Sequence, residues 1–385
     1  MKDATGASAD QPKKKEDSLT DLKAMNQKND LMIKSPHMLK QYPIWAILIL
    51  LIGMSACQPR TGKLMTARDG WTVGFYNVEN LFDTIDAPGK NDADFLPNAK
   101  VAWNTERYYH KLNQIGRVIA SMDTLDFPHV LGLCEVENIH VLDDLIVNPW
   151  IKKARYEIIH AESSDNRGIE TAILFRPDYF KPVYHRPVQV IKDNGRQVTY
   201  RHIMYVKGIV STRDTLHIFV NHWTSRFGGR EKTQEARNFT ANVLKTITDS
   251  ILFAHPDASI VIVGDFNDNP EDESLSLYLG ANNPQSSPVE ASKLYNLAFA
   301  PRSRGEGTLY YQGWDMFDQI IVSSALLQQK KNQLNATDME IVAKHWMLFQ
   351  GSGGVARPNR TMSGGRYFGG FSDHLPVLVR LKSSK

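Results

Sequence analysis

Two polar side chains, Asp265 and Asn267, closely follow a predicted buried strand. Ile260–Val263 are four consecutive apolar residues that favour strands, and such a run is typical of a strand buried on both faces. Because Asp265 and Asn267 are two positions apart, their side chains share one face of the strand end. A carboxylate beside an amide donor could activate a nucleophile next to a phosphate oxygen. The alternative is an Asx turn, since Asp and Asn commonly bond their own backbone after a strand.

Polar side chains also stand at one end of four further predicted strands. They are Asn77, Glu135, His222, and the neighbours Asp373 and His374. A single residue of this kind more often belongs to a turn or to the core than to a catalytic site. Because polar groups that end several strands on the same edge converge in space, the set as a whole predicts a binding or catalytic site.

The types of these side chains favour phosphoester hydrolysis assisted by a hard cation. Oxygen ligands without cysteine, as at Glu135, Asp373 and Asn77, suit Mg²⁺ or Mn²⁺ held together with water and a substrate phosphate. We expect Asp265 to orient or deprotonate the attacking water. A zinc site is disfavoured because no closely spaced His pair occurs, and a serine hydrolase is disfavoured because no Gly-x-Ser-x-Gly motif occurs.

The remaining polar residues have expected roles around the phosphate. Asn267 and Asn77 would donate hydrogen bonds to phosphate oxygens. The imidazoles of His374 and His222 would bond the pentacovalent state, and Asp318 could hold an imidazole in place. Three arginines are candidate substrate-binding residues, namely Arg167, Arg226 and Arg366.

Between these strand ends the chain alternates predicted strands with few helices. One helix is predicted to begin with Thr105 as its N-cap, a second to cover about 231–252, and a short one 271–279. Residues 350–370 contain seven glycines and three arginines but no acidic residue, which predicts a mobile, locally basic arm.

Composition indicates a globular chain with a sizeable core and no disulfide framework. The 385 residues are 42% hydrophobic and include two cysteines. Beyond residue 56 the chain carries 37 Lys and Arg against 36 Asp and Glu, which argues against strong nonspecific nucleic-acid binding over the whole surface. No composition break marks a second domain, so we expect a linker at 58–70 and a single domain at 71–385.

Residues 1–57 are predicted to be a polar lead followed by an export signal. Pro43–Met54 is apolar, too short to span a bilayer comfortably, and lies between Lys40 and the small residues before Cys57. Met54-Ser55-Ala56-Cys57 resembles the bacterial lipoprotein processing site, in which the cysteine becomes lipidated. We therefore expect an exported cell-envelope lipoprotein, periplasmic or attached to the outer membrane, and a monomer. An uncleaved signal anchor and a buried cytosolic segment are the alternatives, and Met32 and Met38 are candidate start residues.

Six motifs occur in a fixed order from about residue 71 to 381. They are Asn77-Val-Glu79-Asn80, Leu133-Cys134-Glu135-Val-Glu137, Asn221-His222-Trp223, Gly264-Asp265-Phe266-Asn267, Phe317-Asp318-Gln319-Ile320 and Ser372-Asp373-His374-Leu-Pro. In this order they resemble the endonuclease/exonuclease/phosphatase superfamily, which has the DNase I-like fold.

The resemblance implies a four-layered α/β sandwich, in which two packed mixed β-sheets are flanked by helices, with a Mg²⁺-dependent site at one edge. It also implies that Glu135 is the principal metal ligand, that Asp265 is the base, and that Asp318 pairs with His374. Two departures are visible. Cys134 stands where many members have Gln, and a tyrosine that some DNA-repair members place near the phosphate is not identifiable, so Arg167 is a candidate for its place.

The resemblance leaves the substrate open, because the superfamily cleaves nucleic acids, phosphoinositides and sphingomyelin. We expect a nuclease or a general phosphodiesterase, since the arginine-bearing arm before Asp373 could follow a polyanion backbone. A lipid phosphodiesterase would carry an exposed apolar hairpin near the site, for which Tyr310–Trp314 is the candidate. A surface lipoprotein that binds ligands without catalysis is a third hypothesis from another class.

Overall fold

The structure is a computed structural model that describes residues 64–67, 70–193, 195, 197–210, 214–286, 288–330, 333–351 and 353–383. The predicted leader at 1–57, with Cys57, and much of the predicted linker at 58–70 lie outside the described residues. The described residues belong to one structural unit. The domain boundaries at residues 57 and 70 remain predictions.

Two mixed seven-stranded sheets form the centre of the protein. The first sheet has the order β14 (Leu334–Ala336), β20 (Val377–Ser383), β1 (Trp71–Leu81), β2 (Val130–Val136), β4 (Glu170–Phe175) and β3 (Glu157–His160), and β15 (Glu340–Ile341) also pairs with β20. The second has the order β5 (Phe180–Asp193), β6 (Gln197–Val210), β7 (Thr215–His222), β8 (Ser259–Asp265), β13 (Asp318–Ser323), β10 (Leu294–Asn296) and β9 (Ala281–Asn282).

Three small hairpins, four α-helices, four short 3-10 helices and one π-helix complete the described elements. The π-helix (Ser274–Leu279) lies within the short helix predicted at 271–279. The hairpins are β11 (Leu309–Tyr310) with β12 (Trp314–Asp315), β16 (Leu348–Gln350) with β17 (Ala356–Pro358), and β18 (Met362–Ser363) with β19 (Arg366–Tyr367). The α-helices are α1 (Thr105–Met122), α2 (Ile139–Ile146), α3 (Arg230–Ala254) and α4 (Phe299–Ser303). No helix in the described part of the chain is both long and apolar enough to cross a bilayer.

Three apolar clusters between these elements define four layers. One cluster lies between the two sheets and includes Phe75 of the first sheet and Val261 of the second. A second lies between the first sheet and α1, where Leu112 and Ile115 are buried. The third lies between the second sheet and α3, where Leu244 is buried. The order of layers is therefore helix, sheet, sheet, helix.

Two local predictions differ from the structure. The N-cap of α1 is Asn104, whose side chain accepts a hydrogen bond from Arg107 N, and Thr105 is the first helical residue. Both residue types cap helices, and the prediction was wrong by one position. The segment 350–370, predicted to be a mobile arm, forms parts of two hairpins, and its middle is held by the buried Glu79 carboxylate, which accepts from Thr361 N at 2.6 Å.

The polar strand ends named from the sequence meet at one edge of the sandwich. Asn77 pairs with Cys134 at the end of parallel strands β1 and β2, and His222 pairs with Asp265 at the end of parallel strands β7 and β8. Asp318, at the start of β13, also pairs with Asp265. We call this edge the site rim.

Because His202 is buried, we expect the unfolding free energy to fall in acid. His202 is 2% exposed on β6, and its ring nitrogens have no hydrogen-bond partner in the part of the chain that the structure describes. Burial lowers the pKa of His202 from 6.5 to about 4, and His160 lowers it further. Between pH 6.5 and about pH 4, His202 is therefore protonated in the unfolded chain and neutral in the folded chain. The unfolding free energy falls as the pH drops through this window.

We expect His202→Leu to remove about 2 kcal/mol of the loss in unfolding free energy that the wild type shows between pH 7 and pH 5. Urea unfolding followed by circular dichroism at the two pH values measures this difference. The exposed His140→Leu is the control and should keep the wild-type loss. An unchanged pH dependence in His202→Leu would contradict the assignment.

Candidate active site

Glu135 lies in a β-bulge at the end of β2. Its neighbours Cys134 and Val136 pair with the consecutive residues Thr171 and Glu170 of β4, so Glu135 has no partner in that ladder. Its φ of 62° is in the left-handed region, which non-glycine residues rarely adopt. Such conformations cost on the order of 1–3 kcal/mol and concentrate at functional sites. The bulge therefore sets the direction of the side chain at the rim.

A larger bulge lies opposite, at the end of β1. Asn77 pairs with Cys134 and Leu81 pairs with Val136, so β1 has three residues where β2 has one. Two of the three, Glu79 and Asn80, have φ of 51° and 53°. The bulge directs the backbone of Asn80 toward the site, where Asn80 N donates to Glu135 Oε2 at 3.0 Å.

The Asn77 side chain joins the two principal carboxylates of the site. Its Nδ2 donates to Asp265 Oδ2 at 3.0 Å and to Glu135 Oε1 at 3.2 Å. Its Oδ1 accepts from Glu79 N at 3.0 Å, which fixes the orientation of the amide. Asn77 was predicted to be an oxygen ligand of the metal. In the structure its Nδ2 faces the two carboxylates as a hydrogen-bond donor, and the ligand role stays a prediction.

Gly264 brings β7 and β8 close together at the rim. A Cβ atom at this position would lie 2.6 Å from the Asn221 backbone oxygen, too close for any other residue. The same packing places His222 Nε2 3.7 Å from Glu135 Oε1 and 3.8 Å from Asp265 Oδ2. The imidazole therefore reaches both carboxylates.

The charge of His222 follows from its surroundings. Burial lowers the pKa of His222 well below its usual 6.5, and the nearby guanidiniums of Arg201 and Arg167 lower it further. His222 is therefore a neutral imidazole, able to donate one hydrogen bond.

Asp265 is held by its own strand end. It is 2% exposed, and its Oδ1 accepts from Asn267 N at 3.0 Å. Burial raises the pKa of Asp265 to about 7, with Asp318 and Glu135 raising it and His374 opposing them. Asn267 has a φ of 52°, and one of its amide hydrogens is donated to Trp223 O at 3.2 Å.

His374 is oriented by Asp318, as the resemblance implies. His374 Nδ1 lies 2.6 Å from Asp318 Oδ2, and His374 Nε2 lies 3.9 Å from Asp265 Oδ2. Burial by itself would lower the pKa of His374, but Asp318, Asp265 and Asp373 together raise it well above 6.5. The imidazole is therefore a cation that directs Nε2 into the site.

The oxygen atoms at the rim fit the predicted hard cation. The Glu135 and Asp373 side chains are 18% and 23% exposed, so both can meet a solvent ion, and carboxylate oxygens are the ligands that Mg²⁺ and Mn²⁺ prefer. Cys134, His222 and Asp265 also have ligand atoms within 4.8 Å of one another. Burial raises the pKa of the Cys134 thiol well above its usual value, which disfavours the thiolate that a soft ion would bind.

The three predicted substrate-binding arginines have different surroundings. Arg167 is half-exposed and close enough to Glu135 and His222 to interact with their charges. The guanidinium of Arg226 pairs with Asp268 and Asp272 at 2.9 and 2.6 Å and so supports the strand end after Asp265, while its predicted contact with substrate stays a prediction. Arg366 is exposed on β19, where its guanidinium lies 6.0 Å from the centre of the Phe368 ring.

The structure adds a second polar layer that sequence reasoning missed. Arg360 donates to Asp373 at 2.7 Å and to Glu79 at 3.3 Å. The fully buried Lys111 donates to Thr361 Oγ1 and to Phe371 O. Burial raises the pKa of Glu79 and lowers that of Lys111. The sequence carries one sign of this layer, because Glu79 lies within the motif Asn77-Val-Glu79-Asn80.

Comparison with known proteins gives one family match. The sequence matches the model of the Endonuclease/Exonuclease/phosphatase family over residues 72–383. No curated protein sequence matches it.

Two solved structures are similar to the chain. The mannosyl-6-phosphatase of Bacteroides thetaiotaomicron has a TM-score of 0.50 and 17% identity, covering 81% of this chain and 99% of that one. TDP2 from Caenorhabditis elegans has a TM-score of 0.50 and 15% identity, covering 83% and 77%. At these identities the likeness shows the fold alone. The predicted four-layered α/β sandwich is thereby confirmed.

We expect Asp318→Asn to lower the pKa of His374 toward or below its usual value, because the substitution removes the nearest carboxylate while burial remains. NMR titration of the His374 ring protons measures the shift. Asp257→Asn, which removes an exposed carboxylate paired with Lys330, is the control and should leave that titration unchanged. A His374 titration that is identical in Asp318→Asn and wild type would contradict the proposed pairing.

Proposed function

This chain belongs to the endonuclease/exonuclease/phosphatase family, and from that membership we propose that it is a divalent-metal-dependent phosphodiesterase of the nuclease type. The single observation that carries the proposal is the arrangement around Asp265. A nearly inaccessible carboxylate with a raised pKa lies within 4 Å of a neutral imidazole, a charged imidazole and an amide donor. Paired groups whose pKa values are pushed in opposite directions are typical of acid–base sites.

Asp265 is the proposed base. Its carboxylate is kept in place by Asn77 Nδ2 and Asn267 N, so it meets an attacking water in one orientation. Burial raises the pKa of the carboxylate to about 7, which suits a group that accepts a proton from water.

The two histidines are proposed to stabilise the phosphate as it gains charge. His374, charged and oriented by Asp318, would donate from Nε2 to a phosphate oxygen, and neutral His222 would donate to another. Mg²⁺ or Mn²⁺ bound at Glu135 would neutralise the phosphate and stabilise the leaving oxygen. Half-exposed Arg167 is the proposed further contact for the substrate anion.

A lipid phosphodiesterase is the second candidate, favoured by the hairpin β11–β12. Leu309 of this hairpin forms a β-bridge with His374, and Tyr311 near its tip is 79% exposed. An exposed aromatic side chain so close to the site could enter a lipid surface.

We also propose that the protein is exported and anchored to the cell envelope through lipidated Cys57, and that it is a monomer. The proposal rests on the apolar run before Cys57 and on the resemblance of Met54–Cys57 to a processing site.

An assay of the purified protein on single- and double-stranded DNA, RNA, sphingomyelin and phosphoinositides, with Mg²⁺, Mn²⁺ or a chelator, tests the function. We expect metal-dependent cleavage of nucleic acid that the chelator abolishes. Preferred cleavage of a lipid would favour the second candidate. Absence of turnover on every substrate would reject both and favour ligand binding without catalysis.

We expect Asp265→Asn to lower kcat at least about 100-fold, because the amide cannot accept the proton of the attacking water. Circular dichroism should show an unchanged fold. Asp249→Asn, in which an exposed carboxylate on α3 is replaced, should retain wild-type kcat. Full activity of Asp265→Asn would reject the proposed base.

We expect Cys57→Ser to release the protein from the membrane fraction and to abolish labelling by radioactive palmitate, because serine lacks the thiol that accepts lipid. Fractionation of cells that express each form measures this. Cys134→Ser, in which the buried cysteine is replaced, should still be labelled. Membrane retention and labelling of Cys57→Ser would contradict the anchor.

A further inference from the structure

A pocket of about 270 Å³ lies between the three hairpins and opens beside the site rim. Each hairpin contributes one aromatic side chain, namely Tyr310, Phe349 and Phe368, the last directly after β19. Two guanidiniums, of Arg357 and Arg360, also line it.

The pocket is continuous with the candidate active site through two contacts. Asp373, which lines the pocket, is the neighbour of His374, and its carboxylate pairs with Arg360 at 2.7 Å. On another wall, the strand that carries Tyr310 is joined to the site by the β-bridge between Leu309 and His374. A group bound in the pocket would therefore lie beside a phosphate held at His374.

Two of the three aromatic rings are exposed to solvent, so they add little to the stability of the fold. Phe349 and Phe368 are 50% and 55% exposed, although burial of such side chains normally contributes to stability. Arg357 lies 5.6 Å from the centre of the Phe349 ring, so a guanidinium and a ring face are presented together. Tyr310 packs edge to face against Trp314 at 5.4 Å, which holds its ring in place.

Rings interleaved with guanidiniums match the chemistry of single-stranded nucleic acid. Bases that are not paired stack on aromatic side chains, and arginines contact the phosphates that link them. A pocket for an acyl chain would place apolar groups without two cations at its walls. The absence of acidic residues in 350–370 adds to the preference for a polyanion.

We propose that this pocket is a nucleobase-binding subsite that holds the nucleotide next to the cleaved phosphate of a single-stranded substrate. Arg360, already shared between Glu79 and Asp373, would contact the adjacent phosphate. The proposal rests on the proposed function for its substrate class and names the part of the substrate that the enzyme recognises.

Kinetics of the full-length protein on two substrates test the subsite. One substrate is a short single-stranded oligothymidylate, and the other is bis(4-nitrophenyl) phosphate, which carries no nucleobase. We expect Phe349→Ala and Phe368→Ala each to lower kcat/KM for the oligonucleotide about tenfold more than for the small diester, as loss of one stacked base predicts. Phe253→Ala is the control, because this 92% exposed phenylalanine lies at the far end of α3, before β8 begins. It should leave both values unchanged.

Binding provides a readout that does not depend on turnover. In an Asp265→Asn background, fluorescence anisotropy of a labelled oligothymidylate should show a Kd about tenfold higher after Phe349→Ala or Phe368→Ala. Equal effects on both substrates together with unchanged Kd would overturn the subsite.

Failure of the proposed function would give a different result from failure of the subsite. The wild type would then hydrolyse neither substrate with Mg²⁺ or Mn²⁺, and anisotropy alone would decide whether the pocket binds bases.

Discussion

The site depends on one constraint, a mismatch between β1 and β2. Between the same two residue pairs, Asn77–Cys134 and Leu81–Val136, β1 has more residues than β2. Three residues bulge from β1 opposite the single residue Glu135 of β2, and three of the four have positive φ. These conformations are costly, and the hydrogen bond from Asn80 N to Glu135 Oε2 offsets part of the cost. Asn77 is in register with Cys134 and follows the regular alternation of Val73 and Phe75 toward the second sheet. Glu135, by contrast, would point to the opposite face from Cys134 in a regular strand, so only the bulge brings it to the site. The strain thus converts two ordinary strand ends into one site.

Much of the fold and of the site edge could be predicted, because apolar runs ending in polar residues are a local signal. The strands before Glu135 and Asp265 were predicted on this basis. The bulges were not, since a backbone with positive φ at Glu135 leaves no mark in residue type. β5 was also missed, because Pro182 and Pro187 and an exposed face obscure the strand pattern. Its position at the edge of the sheet explains why proline is tolerated there.

The segment 350–370 shows how composition can mislead when a long-range contact decides the structure. Its glycines indicated mobility, yet the buried Glu79 carboxylate accepts from Thr361 N and from Arg360. A carboxylate from β1 thereby holds a segment almost three hundred positions later in the chain. The same contact brings Arg360 to Asp373, so residues that bind substrate in our proposal depend on the β1 bulge that lies opposite Glu135.

The carboxylates at the rim repel one another, and this repulsion opposes folding. Burial raises the pKa of Asp265, and the nearby carboxylates of Asp318 and Glu135 raise it further, which means that the ionised cluster opposes folding. Asn77 and His374 compensate only part of this repulsion. The Asn77 amide donates to Glu135 and Asp265, and one ring nitrogen of His374 contacts Asp318. A divalent ion beside Glu135 would relieve the remainder. The groups that destabilise the fold by their mutual repulsion are therefore those that would hold a metal and a phosphate in our proposal.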